Sequence, residues 1–251
     1  MKKIPVAVQL YSVRDDCARD LPGVLKAVAQ MGYDGVEFAG YYNRTAEELR
    51  TMLDDVGLKV AGAHVGIQTL LGDELEKSVA FHRVLGNRFL IVPGLPAELR
   101  ATAADWRRTA DLFNEIAARL APYGMMTGYH NHNHEFKPME GKIPWEILFD
   151  ATHPEVCMQP DSGNARDGGA DIIPYIRKYP GRSRTVHLKE YSSDRSTAAL
   201  LGEGEIRWMD LFEACERVGG TEWYIIEQET YSHPPLECIR ICRENLRRLG
   251  R

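Results

Sequence analysis

At 251 residues the chain exceeds the size of most single-core sandwiches and approaches the length at which one barrel of alternating strands and helices closes. Its 31 Lys and Arg are mixed with 36 Asp and Glu for a net charge of -5, with no basic stripe; this excludes the electrostatic footprint of a nucleic-acid binder and points to small-molecule partners. No stretch approaches the roughly 20 apolar residues a membrane helix requires, and the five scattered cysteines lack CxxC spacing, as expected of unpaired thiols in a reducing cytoplasm.

The chain begins with Lys2 and Lys3 before an apolar run broken by Pro5, Gln9 and Arg14, which reads as a first strand and not as a signal peptide. Strands are expected at Val6–Leu10, Gly35–Phe38, Lys59–His64, Arg88–Val92, Met126–Asn131, Cys157–Asp161, Arg184–Lys189 and Trp223–Glu227. Helical periodicity lies between them at Leu21–Met31, Ala46–Val56, Glu74–Leu85, Ala104–Leu120, Ile172–Tyr179, Met209–Val218 and Leu236–Leu249, with a weak signal at Pro144–Phe149. Gly32, Gly57, Gly86, Gly124 and Gly219 follow helical runs as C-terminal caps, and Thr45 with Glu48 forms a capping box. Strand–helix alternation implies parallel pairing, and about eight units in this length favour a single (β/α)8 TIM barrel spanning residues 1–251 as one domain. Neither GxGxxG nor GxxxxGK[ST] occurs, which removes the nucleotide signatures of an open doubly wound sheet.

In such a barrel, chemistry is carried by strand ends and the loops after them. His64 ends the third expected strand; His130, Asn131 and His132 end the fifth, with Glu135 in its loop. Asp161 ends the sixth, His187 and Lys189 the seventh, and Glu227 the eighth. Alternation places His130 and His132 on one face and Asn131 on the other. Imidazoles and carboxylates aimed into a barrel mouth are costly unless paired or ligated, so this mixed nitrogen and oxygen set suits one divalent ion: Mn²⁺, Mg²⁺, Co²⁺ or Zn²⁺. The turn at Pro160–Gly163 leaves the Asp161 carboxylate at the mouth, and Gly202–Gly204 reads equally well as a flexible lid or a plain turn. Glu37, Gln9, Tyr11, Lys189 and Arg195 are candidates to hold substrate hydroxyls or, for the cations, an anionic group.

The motifs VQLYSVRD, YDGVEF, YHNHNHEF, DSGNA, VHLKEY, GEGEIRW and IIEQE run along nearly the whole chain. Together they resemble the xylose-isomerase-like barrel superfamily of sugar phosphate isomerases and epimerases, which includes inosose dehydratases. The resemblance implies a metal held from strands five to eight, here by His130, Asp161, His187 and Glu227. His130 stands where many relatives carry Glu, and Asn164 where a His is common. It further implies an isomerase or epimerase acting on a keto-sugar or sugar-phosphate-like substrate, through proton abstraction next to a carbonyl and a metal-stabilised enediolate. Glu227 is then the base, Glu135 and His132 are further catalytic groups, and His64, Asn131, Asn164, Lys189, Arg195 and Glu37 bind substrate. With one carboxylate replaced by His, a metal-dependent lyase or dehydratase is the alternative reading, and a non-catalytic sugar-binding barrel a second. A cytoplasmic protein acting on a sugar-derived small molecule is expected, with no nucleic-acid or membrane partner and with homo-oligomerisation left open.

Overall fold

In a computed structural model of the chain, which describes residues 3–194 and 198–251, eight parallel strands form one sheet. They are β1 (Val6–Gln9), β2 (Gly35–Ala39), β3 (Lys59–His64), β4 (Phe89–Val92), β5 (Met126–His130), β6 (Cys157–Gln159), β7 (Thr185–Leu188) and β8 (Trp223–Ile226). Neighbours pair in chain order from β1 to β6, β1 also pairs with β8, and β8 with β7. The remaining seam closes between β6 and β7 through a parallel bridge, Asp161 to His187, with His187 N–H donating to the Pro160 carbonyl at 2.9 Å. The sheet is therefore the closed barrel that the alternation predicts.

Period-two alternation sorts each strand into two faces. Val8, Val36, Phe38, Leu90, Val92, Tyr129, Val186 and Ile226 belong to the large core between strands and helices. Ala7, Ala61, Phe89, Ile91, Cys157 and Ile225 form small apolar clusters of their own, as side chains filling the barrel interior would. The next inward positions toward the strand ends are polar: Gln9, Glu37, Gln159 and His187, all with no solvent exposure. Apolar filling thus gives way to a polar layer beneath the mouth.

The helices are α1 (Arg14–Gln30), α2 (Ala46–Val56), α3 (Glu74–Leu85), α4 (Ala103–Leu120), α5 (Pro144–Ala151), α6 (Ser162–Asp167), α7 (Ile172–Lys178), α8 (Trp208–Ala214) and α9 (Pro235–Arg248). Helix α1 starts earlier than its periodicity predicts because it is two segments joined at Asp20, whose φ of -152° is non-helical. Asp20 Oδ1 accepts from Gly23 N–H at 3.0 Å and Pro22 sits just inside the second segment. The capping box of α2 is present, Thr45 N–H to Glu48 at 2.9 Å and Glu48 N–H to Thr45 at 3.2 Å. After α8 the chain continues as a π-helical turn over Cys215–Gly219, and the left-handed residue is Gly220 (φ 67°) in place of the expected Gly219. The short α6 was not expected; its six residues are too few to show a period. All five cysteines are buried and unpaired. Among the described residues no helix is long and apolar enough to cross a membrane.

His82 on α3 is 2% exposed, with Nδ1 3.0 Å from Asn87 Nδ2 and Nε2 3.2 Å from the Tyr41 hydroxyl. Burial pushes its pKa down from 6.5 to about 4. The unfolded chain therefore takes up this proton first as pH falls, so stability is full above about 6.5 and is lost toward 4. From pH 7 to pH 5 the loss from this group is about 2 kcal/mol, or roughly 4–8 °C in melting temperature for a chain of this size. His82→Gln should flatten the pH dependence of melting by that amount; a slope identical to wild type would exclude His82 as the source.

Candidate metal centre and active site

The last four strands end at one point. His130 closes β5, Asp161 lies two residues past β6, His187 lies within β7, and Glu227 directly follows β8. One nitrogen or carboxylate oxygen from each lies within 4.8 Å of those of the other three, and all four residues are at most 5% exposed. His187 Nδ1 is 3.0 Å from Glu227 Oε2 and 3.8 Å from Asp161 Oδ2. Local sequence sets the Asp161 geometry: it is the N-cap of α6, with Oδ1 accepting from Asn164 N–H at 2.6 Å. Its Oδ2 is left buried without a hydrogen-bond partner, and so is His130 Nδ1.

The electrostatics ask for a cation. Burial keeps His130 neutral, assisted by His187 and His64, and a neutral imidazole is the form that ligates. Burial also pushes the Asp161 carboxyl up, against the pull of Lys189. Glu227 is held well below the usual carboxylate range because Lys189 and His187 outweigh its burial. Likewise, Glu37 and Glu227 outweigh the burial of His187 and raise it to about 10, so the space between its ring and the carboxylates draws positive charge. Carboxylate oxygens and imidazole lone pairs are acceptors, and Asp161 Oδ2 among them lacks a partner while buried; a divalent ion satisfies such a set. The donors fit Mn²⁺, Mg²⁺, Co²⁺ or Zn²⁺ and, lacking thiolates, do not resemble a structural zinc site.

Above the tetrad opens a cavity of about 350 Å³, lined by Tyr11, His64, His130, His132, Glu227 and Glu229 among others. Of the expected site residues, Tyr11, His64 and His132 reach this cavity together with His130 and Glu227 of the tetrad. Asn164 Nδ2 lies 3.4 Å from His130 Nε2, and Lys189 Nζ lies 3.0 Å from Asn164 Oδ1 and 3.9 Å from Glu227 Oε2. Burial works against the Lys189 charge, but Glu227, Asp161 and Glu229 together raise its pKa.

Four expected residues are turned elsewhere, the first being Gln9, which has no solvent exposure and donates to Glu37. Asn131 is fully buried and clamps β5 to the sixth strand end: Asp161 N–H donates to its Oδ1 at 2.8 Å, and its Nδ2 donates to the Asp161 carbonyl at 3.2 Å. Expected on substrate, its amide is instead engaged with the Asp161 backbone. Glu135 accepts from the Tyr129 hydroxyl at 2.7 Å and from His132 N–H at 2.8 Å, and has no solvent exposure. Tyr129 packs outward against Trp106, Phe113 and Trp145, so the Glu135 carboxylate braces the loop from behind the barrel wall. Glu37, also expected on substrate, has its carboxylate enclosed by Gln9, Gln159 and His187. Arg195 lies outside the described residues. The Gly202–Gly204 stretch is a turn tied to the segment after β7, with Gly202 N–H donating to Glu190 Oε2 at 2.7 Å.

Two participants went unread. Glu229 lines the cavity and is ion-paired with Lys189. Gln159 Oε1 lies 2.8 Å from His64 Nε2 while its Nε2 donates to Glu37 at 2.7 Å. Each stands two residues from a recognised group, Glu227 and Asp161, so strand alternation was the signal that could have found them.

A family model described as xylose isomerase-like TIM barrel matches residues 25–249. An inosose dehydratase from Geobacillus kaustophilus is 23% identical over 266 residues, covering 86% of this chain and 86% of that protein. A sugar phosphate isomerase/epimerase from Parabacteroides distasonis superposes with a TM-score of 0.84 at 22% identity, covering 98% of this chain and 96% of its own. A D-allulose 3-epimerase from Methylomonas sp. superposes with a TM-score of 0.71 at 13% identity, covering 99% and 98%. At such identities the likeness to these solved structures is one of fold.

Proposed function

The chain belongs to the xylose isomerase-like TIM barrel family, and on that premise we propose that it is a divalent-metal-dependent enzyme that removes the proton next to the carbonyl of a keto-sugar or sugar-derived ketone. The carrying observation is the meeting of His130, Asp161, His187 and Glu227 beneath the cavity, with Glu227 belonging both to the tetrad and to the cavity wall. An ion held by the four would polarise the substrate carbonyl and stabilise the developing negative charge. Glu227 stays ionised through the neutral range and takes the proton. Lys189, positively charged and within 3.9 Å of Glu227, offsets charge on the same side. Its pairing with Glu229 favours an uncharged sugar over a phosphorylated one.

The enediolate has two fates. Elimination needs one base and one acid: electrons of the broken C–H bond form a C=C bond, the β C–O bond breaks, and the departing hydroxyl takes a proton from an acid such as His132 and leaves as water. Epimerisation needs a second base on the opposite face of the substrate. Because Glu135 is committed to Tyr129 and away from the cavity, elimination is the favoured fate. The dehydratase name of the curated relative supports the same choice. Isomerisation or epimerisation is the second reading, favoured by His132 at the cavity rim, where an imidazole that has taken up a proton from solvent can hand it to the enediolate carbon. Placement in the cytoplasm belongs to this proposal, since five unpaired buried thiols fit a reducing compartment.

Proton NMR in D₂O with keto-inositols and keto-hexoses separates these outcomes. Loss of water with a new vinylic carbon is expected; deuterium uptake with every oxygen retained would assign the second reading. Neither exchange nor elimination, with ligand binding that persists after complete metal removal, would leave a sugar-binding barrel.

A further inference from the structure

The YDGVEF segment contributes one group that the proposed chemistry does not use. The Glu37 carboxylate has no solvent exposure and is held on all sides by protein. Gln9 Nε2 donates to Oε2 at 2.7 Å and Gln159 Nε2 donates to Oε1 at 2.7 Å. His187 Nε2 lies 2.6 Å from Oε2, and His64 Nε2 lies 3.3 Å from the same oxygen. The two amides are themselves anchored: Gln9 Oε1 accepts from Tyr11 N–H at 3.1 Å, and Gln159 Nε2 also donates to Thr185 Oγ1 at 2.9 Å.

The backbone makes room for this arrangement. Strand β2 shifts register against β3 between Val36 and Glu37, which pairs Glu37 with Gly62. A Cβ at Gly62 would stand 2.7 Å from Glu37 Oε1, closer than a side chain can be tolerated unless the carboxylate moves. With both amides holding it, the carboxylate has no free direction in which to move.

An imidazole offers one lone pair to an ion, and the partner of its other nitrogen decides which. We propose that Glu37 is a positioning residue of the ion site, holding the Nε2–H of His187 so that Nδ1 faces Asp161 Oδ2 and Glu227 Oε2. The arrangement is a carboxylate–imidazole–cation relay built across the barrel interior, from β2 to β7, over 150 residues of chain. It rests on the reading of the tetrad as an ion site. Gly62 and the bulge in β2 are the backbone features that let the second strand supply it.

The test measures Mn²⁺ affinity of the full chain by competition with a chromogenic chelator, alongside kcat and KM. Glu37→Gln keeps the shape but removes the full negative acceptor, and its Mn²⁺ affinity should fall roughly 10–100-fold while KM for the ketone changes little. Gly62→Ala keeps every hydrogen-bonding group yet presses on the carboxylate, and it should weaken Mn²⁺ in the same direction. It also supplies the reading if Glu37→Gln fails to fold. Affinity within twofold of wild type in folded variants would overturn the proposal, as would a tenfold rise in KM with Mn²⁺ binding unchanged, the signature of a substrate contact. Wild-type protein that binds no divalent ion would instead overturn the ion-site reading beneath it.

Discussion

Glu227→Gln should lower kcat by a factor of about 10³ or more, with deuterium exchange at the carbon next to the carbonyl falling in parallel. The carboxylate combines two functions that the amide cannot perform. Its oxygen lies 3.0 Å from His187 Nδ1 in the tetrad, and the same residue lines the cavity where a substrate carbon would sit. The amide has almost no basicity and contributes a weaker donor to the ion, so loss of proton transfer and weaker ion binding act together. The two are separable by saturating the variant with Mn²⁺, which should recover occupancy but not exchange. Exchange within tenfold of wild type at saturating Mn²⁺ would remove Glu227 as the base.

Chelation is expected to abolish turnover reversibly and to lower the melting temperature. Asp161 Oδ2 is a buried atom without a hydrogen-bond partner, 3.8 Å from His187 Nδ1, and an ion held by the tetrad would satisfy it. An ion present at a hundredfold its dissociation constant stabilises the folded chain by about 2.7 kcal/mol. For a chain of this length that is roughly 5–10 °C of melting temperature. Asp161→Asn should lose most of this metal-dependent increment, because the neutral amide removes a charge from the donor set while its oxygen can still cap α6. Melting that is unchanged by exhaustive chelation and by Mn²⁺ addition, in protein shown to be metal-free, would contradict the centre.

Much of this molecule was legible along the chain. The eight strands fall where apolar and β-branched runs place them, and their ends shift by no more than two residues. At the mouth the shifts of β5 to β8 share a cause: Asn131, Asp161, Lys189 and Glu227 continue the strand pattern in sequence but lie past the strand ends, where Asp161 keeps only an isolated bridge to His187. There they trade backbone pairing for side-chain chemistry. Asp161, His187 and Glu227 were legible because alternation aims His187 inward and sets Asp161 and Glu227 two residues past the inward-facing Gln159 and Ile225; among the fifth-strand groups, the choice of His130 came from the resemblance.

Short periodicities were enough to read the barrel, the inward and outward faces of its strands, and the ionisable groups at the ends of its last strands, because a parallel barrel must collect those ends at one rim. Which other polar groups look into the cavity depended on contacts between distant parts of the chain. Glu37 is captured by His187, 150 positions away, Asn131 by the Asp161 backbone, 30 positions away, and Glu135 by a tyrosine facing the helices. A buried carboxylate or amide goes where its hydrogen bonds can be completed, and those partners arrive from strands and layers that no local pattern specifies.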